Sequence, residues 1–191
     1  DKLAAFSKQL KYIEMGSSPM PIKHKEKLMQ LLPNTKICMH YGSTEASRTC
    51  FIEFHQDKNY LNSVGKVTPG INLKIQDSNG RECEANESGE IMVSGKSVSK
   101  EYILSNMPMD GDWFMTGDYG YRNEQNYIFL DGRKKDLINV GGRKVSPIEI
   151  ENAINLIPSI LDCACIGVPD PKGISGEVIK AFLVLNNCKV N

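Results

Sequence analysis

Five consecutive residues, Tyr41-Gly42-Ser43-Thr44-Glu45, follow the apolar run Ile37-Cys38-Met39-His40 and carry the densest chemistry in the chain. An apolar strand that runs into a glycine turn with hydroxyls and a carboxylate puts polar groups at the carboxyl edge of a sheet. Open α/β sheets bind their ligands there. In that setting Thr44 can donate to phosphate oxygens, and Glu45 can hold a hard cation such as Mg²⁺. The same residues also read as a tight turn followed by a helix N-cap. A second group, Phe114-Met115-Thr116-Gly117-Asp118, presents a short acid after glycine, suited to accept hydrogen bonds from the vicinal hydroxyls of a ribose. A third runs from Asp131 to Glu151 and sets Arg133, Lys134, Lys135 and Lys144 around the pair Gly141-Gly142. Cations beside glycines bind phosphate, or solvate a hairpin.

Other patterns carry no chemistry. Gly89 to Ser97 looks like a phosphate loop, but five residues separate Gly89 from Gly95 where that motif needs four, and the run alternates as a strand does. The six cysteines, Cys38, Cys50, Cys83, Cys163, Cys165 and Cys188, form no C-x-x-C pair. They read as small core residues in a reducing compartment, with Cys163 and Cys165 on one face of a buried strand. His24, His40 and His55 lack metal-ligand spacing.

The elements that must position these groups follow from periodicity and turn residues. The first part reads as a helix over about 2–11, a strand over 11–15, a turn at 16–21, a helix over about 22–32 and a strand over 36–40. Between 51 and 130, short β-like runs alternate with Gly, Asn and Asp turns, the pattern of a small barrel or meander. A helix is expected over 146–158. Ser146 is its N-cap, Pro147 its first residue and Glu149 the partner in an S-x-x-E capping box, with a stop at Pro158. Strands over 161–168 and 178–185 flank the loop 169–177. A second small α+β unit is expected to begin near residue 133.

The chain has 191 residues, 23 Lys+Arg against 23 Asp+Glu, 40% hydrophobic residues and a mean hydropathy of -0.33. Such values exclude a disordered chain on composition. Zero net charge argues against general attraction to nucleic acid or anionic membranes. No apolar run approaches the ~20 residues that span a bilayer, and the N-terminus lacks a signal-peptide layout. The chain begins without Met, which fits a piece of something longer.

Taken in order, these motifs resemble the adenylate-forming (AMP-binding) superfamily of acyl-CoA synthetases, luciferases and peptide adenylation domains. Gly16-Ser17-Ser18-Pro19-Met20 is similar to that family's nucleotide loop, and Tyr41 to Glu45 to its aromatic-Gly-x-Thr-Glu motif. The segments 64–70, 88–95, 114–118 and 132–151 resemble successive family signatures, and the last is most like fatty acyl-CoA ligases. The resemblance implies an α/β (mixed α+β) fold. Residues 1–132 would be the end of the large AMP-binding domain with its β-barrel-like subdomain, and 133–191 part of a small C-terminal domain, with a hinge near Lys135.

It also implies the chemistry. A carboxylate attacks the α-phosphate of Mg-ATP to give an acyl-adenylate and pyrophosphate, and the thiol of coenzyme A then displaces AMP. Ser17, Ser18 and Pro19 would line the adenine site. His40, Tyr41, Gly42 and Ser43 would bind the nucleotide, with Tyr41 stacked on the ring. Thr44 would contact the α-phosphate, Glu45 would coordinate Mg²⁺, and Asp118 with Arg133 would hold the ribose. Lys135 would be the pivot, Lys144 would lie near phosphate, and Gly141 and Gly142 would let the backbone approach the acyl–pantetheine tunnel. The family's upstream phosphate loop and C-terminal Gly-Lys have no counterpart, so the chain alone is expected to be inactive. The expected partners are a small, fatty-type carboxylic acid and coenzyme A in the cytoplasm, with a carrier protein as alternative acceptor and a homo-oligomer left open. A non-catalytic binding domain of the same fold is the rival from another class.

Overall fold

Ile13 and Met15 lie beside Ile37 and Met39 in a parallel strand pair, β1 (Tyr12–Met15) with β2 (Lys36–Tyr41). A parallel pair needs a crossover, which α1 (Ile22–Leu31) supplies. Leu28, Met29 and Leu31 of α1 pack on a cluster of Leu32, Ile37, Ile52, Phe54 and Leu61, all buried. Lys25 enters the same region. It is 5% exposed, its ammonium donates to the Leu61 carbonyl at 2.5 Å, and Nζ lies 5.5 Å from the centre of the Phe54 ring. Burial brings its pKa down from 10.5 to about 8.

The computed structural model describes residues 2–186 and divides into two compact units, Asp1–Thr116 with Gly120–Leu130, and Gly117–Tyr119 with Asp131–Asn191. In the first unit, β3 (Cys50–Glu53) and β4 (Lys66–Val67) extend the β1-β2 pair into a four-stranded sheet by antiparallel pairing. The second sheet comprises β5 (Ile71–Gln76), β6 (Gly89–Gly95), β7 (Met109–Asp110), β8 (Trp113–Arg122) and β9 (Ile128–Arg133), in the order β5-β6-β8-β7 with β9 also on β8. Leu73, Ile75, Ile91, Val93, Phe114 and Ile128 form its core with Ala46 and Cys50. On β5, Lys74 sets its ammonium 4.7 Å from the centre of the Trp113 ring. The 89–95 run is a strand, buried continuously from Gly89 to Val93 rather than on alternate residues.

In the second unit β10 (Ile138–Val140) and β11 (Arg143–Val145) form a hairpin. Its two-residue loop is Gly141-Gly142, with φ of 59° and 85°, the positive pair that tight hairpin turns need. Helix α2 (Pro147–Ile154) follows, capped by the Ser146 hydroxyl, which accepts from the Glu149 N–H at 3.2 Å and donates to the Asp131 carbonyl. Then β12 (Ile160–Pro169) and β13 (Glu177–Leu185) pair antiparallel. Asp170 organises their loop by accepting from the N–H groups of Lys172, Ile174 and Ser175 at 2.8–3.0 Å, bonds that lower its pKa.

The molecule is a mixed α/β, strand-rich fold, and three local expectations need correction. The 2–11 helix is a single 3-10 turn, Ala4–Phe6; the Phe6 carbonyl then accepts from both Gln9 and Leu10, and the Leu10 and Lys11 carbonyls tie the chain to the start of β2, accepting from the Thr35 hydroxyl at 2.8 Å and the Lys36 N–H at 3.0 Å. The second helix stops at Ile154, and Leu156 and Ile157 lie in turns bonded to Ala153 and Ile154, short of Pro158. Of the cysteines, Cys38, Cys50 and Cys165 are buried, while Cys83 and Cys163 are only half-buried. Cys188 lies outside the described residues. No described helix is long and apolar enough to cross a membrane.

Candidate functional site

The first-unit site is built where β2 ends. After Tyr41 the chain turns at Gly42, and a Cβ there would lie 2.5 Å from the Ala46 carbonyl oxygen and 2.7 Å from the Arg48 nitrogen. Glycine is thus required by close approach. Ser43 closes the turn twice, its N–H donating to the Ala46 carbonyl at 3.1 Å and its hydroxyl accepting from the Ala46 N–H at 3.2 Å. No helix follows; Ala46 instead bridges to Val98. Behind this turn stands the loop after β1, in which Ser17 has a φ of 74°, a left-handed conformation uncommon outside glycine. Ser17, His40, Gly42, Ser43, Thr44, Ser47 and Arg48 line a polar cavity of about 430 Å³. Ser18, Pro19, Tyr41 and Glu45 are not in that lining, and Tyr41 packs partly against the first-unit core.

A charged group backs the cavity. Glu14 Oε1 accepts from Arg48 Nε at 2.7 Å and lies 2.9 Å from His40 Nδ1, and Oε2 accepts from the Tyr12 hydroxyl at 3.0 Å. Arg48 first, and Tyr12 after it, hold the Glu14 carboxyl below its usual range. The His40 Nδ1 contact is not an aligned hydrogen bond, and that nitrogen is shut off from solvent without a hydrogen-bond partner. The other side of the ring lies against Gly16, where any Cβ would overlap it. Glu14, Ser47 and Arg48 were missed in sequence. Nothing local marks them; the β1–β2 register and the turn bring them in.

Glu45 sits beside this cavity, half-buried, and its Oε1 accepts from the Tyr102 hydroxyl at 2.6 Å. Among the described residues no cluster of three or more His, Cys, Asp or Glu could hold a metal. One carboxylate, directly after Ser43 and Thr44 in the chain, still suits Mg²⁺, which binds through one or two carboxylates plus substrate phosphates rather than an all-protein cage.

The second unit holds the remaining candidates. Arg133 Nε meets Asp118 Oδ1 at 2.8 Å, and the Lys134 N–H donates to the Gly117 carbonyl at 2.8 Å. Asp118 is the more sheltered partner, 14% exposed against 54%. Lys144 extends its ammonium to 5.4 Å from the centre of the Tyr119 ring, a residue the sequence did not single out. Lys135 lies exposed in the turn between β9 and β10, and Gly141 and Gly142 form the hairpin tip.

Comparison with known proteins places the chain in a class. The AMP-binding enzyme family matches residues 2–103, and the AMP-binding enzyme C-terminal domain matches 149–190. The chain belongs to the AMP-binding enzyme family. It is 35% identical to the acyl-CoA ligase sidI of Aspergillus fumigatus over 90% of this chain and 30% of that protein. It is also 35% identical to a long-chain-fatty-acid–CoA ligase of Bacillus subtilis, over 89% of this chain and 31% of that protein. The chain thus spans about a third of the length of these relatives. Among solved structures, o-succinylbenzoate-CoA synthetase of B. subtilis matches with TM-scores of 0.81 in complex with the acyl-adenylate OSB-AMP and 0.80 with ATP and magnesium. Identities are 28% and 29%, covering 96% of this chain and 40% of that one.

Proposed function

We propose that the chain is part of an AMP-forming acid–thiol ligase that activates a carboxylic acid, of the fatty class, and passes it to coenzyme A. The observation that carries this reading is the polar cavity of Ser17, His40, Ser43, Thr44 and Arg48 with Glu45 beside it. Hydroxyls, one guanidinium and a carboxylate at a strand end are the groups that a magnesium-bound nucleotide requires. ATP is the co-substrate: the acid's carboxylate oxygen bonds to its α-phosphorus and pyrophosphate leaves, and a thiol sulfur then bonds to the acyl carbon as AMP leaves.

In this reading Ser17, Ser18, Pro19, His40, Tyr41, Gly42 and Ser43 serve the nucleotide, and Thr44 the phosphate. Glu45 takes the Mg²⁺, which when bound offsets phosphate charge. Asp118 and Arg133 serve the ribose, and Lys144 a phosphate. Residues 1–132 and 133–191 are assigned to a large and a small domain with a pivot near Lys135, where Gly141 and Gly142 admit the thiol arm. A cytoplasmic setting suits these substrates.

The test is direct. In the longer protein that carries this chain, pyrophosphate release is screened over carboxylic acids of increasing chain length, followed by thioester formation with coenzyme A or with a carrier protein. Release with fatty acids and transfer to coenzyme A is the expected result. Transfer to carrier protein alone replaces the acceptor, and no release with any acid removes the ligase reading.

A further inference from the structure

One short segment holds Glu45 at both its main chain and its side chain. Val98, buried in the first-unit core, bridges to Ala46. The Ser99 N–H donates to the Glu45 carbonyl at 2.8 Å, and the Tyr102 hydroxyl donates to Glu45 Oε1 at 2.6 Å. That separation is typical of a hydroxyl donating to an ionised carboxylate, among the stronger hydrogen bonds available. The residues after Tyr102 add little grip, for Ile103 is 99% and Leu104 96% exposed. The contact is therefore made by the hydroxyl, from a segment anchored at Val98.

We infer that Tyr102 is a positioning residue for Glu45: its hydroxyl fixes the carboxylate's orientation so that the remaining acceptor capacity is aimed before a divalent cation arrives. The inference rests on the reading of Glu45 as the Mg²⁺ ligand. An ionised carboxylate offers about four lone-pair sites, so the Tyr102 bond orients the group by taking one of them. Groups that orient a metal ligand in this way typically change metal affinity about 10–100-fold when removed.

The test uses Mn²⁺ as a paramagnetic stand-in, titrated with ATP into the longer protein that carries this chain and read by the free-ion resonance signal. Four proteins are compared: wild type, Tyr102→Phe, Glu45→Gln and the double variant. Denaturation midpoints show whether each is folded. The expected result is that Tyr102→Phe weakens Mn²⁺ binding about tenfold, that Glu45→Gln weakens it at least as much, and that the double variant is no weaker than Glu45→Gln. Loss in Glu45→Gln with no change in Tyr102→Phe overturns the positioning role and leaves the Glu45 reading intact. An equal further loss on adding Tyr102→Phe to Glu45→Gln also overturns it, since the hydroxyl would then act through something other than Glu45. Binding unaffected by Glu45→Gln, or absent from the wild type, removes the metal reading and the inference with it.

Discussion

Asp118 faces a cation before any ligand is present, so its proposed duty has a built-in competitor. Arg133 holds Oδ1 at 2.8 Å, and a ribose diol would have to share that carboxylate. Charge-assisted hydrogen bonds contribute about 1.5–3 kcal/mol each, so Asp118→Ala is expected to weaken AMP binding at least tenfold by calorimetry. The sharper readout is an analogue: 2′-deoxy-AMP should lose affinity relative to AMP in the wild type and lose markedly less in the variant. Equal losses in both proteins would show that Asp118 does not touch the ribose. Arg133 is more than half exposed, so losing its contact with Asp118 should change stability little and keep the binding measurement clean.

At the scale of elements, α1 contains the least expected residue of the fold. A helix whose apolar face covers the Leu32–Phe54 cluster also buries Lys25, and the ammonium has one carbonyl and one aromatic face for company. Burial lowers its folded-state pKa to about 8, below the 10.5 of the free side chain. Between those values the unfolded chain binds the extra proton, so stability should rise with pH there; below pH 8 the full cost of burial applies. Lys25→Met keeps the length of the side chain without its charge. It is expected to stabilise the protein by about 1–2 kcal/mol at pH 7, the lost bond to Leu61 offsetting part of the gain. That advantage should shrink by pH 10, as read from urea midpoints; an advantage independent of pH would mean that folding does not lower the Lys25 pKa. In α2 the expectation runs the other way. Ser146→Ala removes both the cap and the bond to Asp131, and about 1–2 kcal/mol of stability should go with it in the same assay.

These two helices also mark what sequence could reach. The α2 start was legible because Ser146, Pro147 and Glu149 lie within four residues, and the Ser146 hydroxyl accepts from the Glu149 N–H. The stretch 2–11 was not: the ties of its end to Thr35 and Lys36, through the Leu10 and Lys11 carbonyls, reach across the crossover and leave no local pattern. The candidate site divides in the same manner. A strand end and turn at 41–45 could be read from local residue types, whereas the Glu14–Arg48 contact spans 34 positions and the Tyr102–Glu45 contact 57. Only pairing register and the path of the 98–102 segment bring those residues together, and neither leaves a periodic trace.

Over the whole molecule, burial is divided unevenly. Among the described residues from Asp131 onward, Ile138, Cys165 and Pro147 are the buried apolar side chains, while Phe182, Leu183, Val184 and Leu185 on β13 are each about half exposed. The first unit buries two separate clusters. Local stability follows buried apolar contact, so the second unit should open first. The chain has a single tryptophan, and Trp113, beneath Lys74, belongs to the first unit. Indole emission is therefore a private channel, blind to the opening of the second unit, whereas far-ultraviolet ellipticity sums over every peptide bond. On heating, ellipticity should begin to fall while emission stays flat, and the lag between the two curves dates the loss of the second unit without any label being attached.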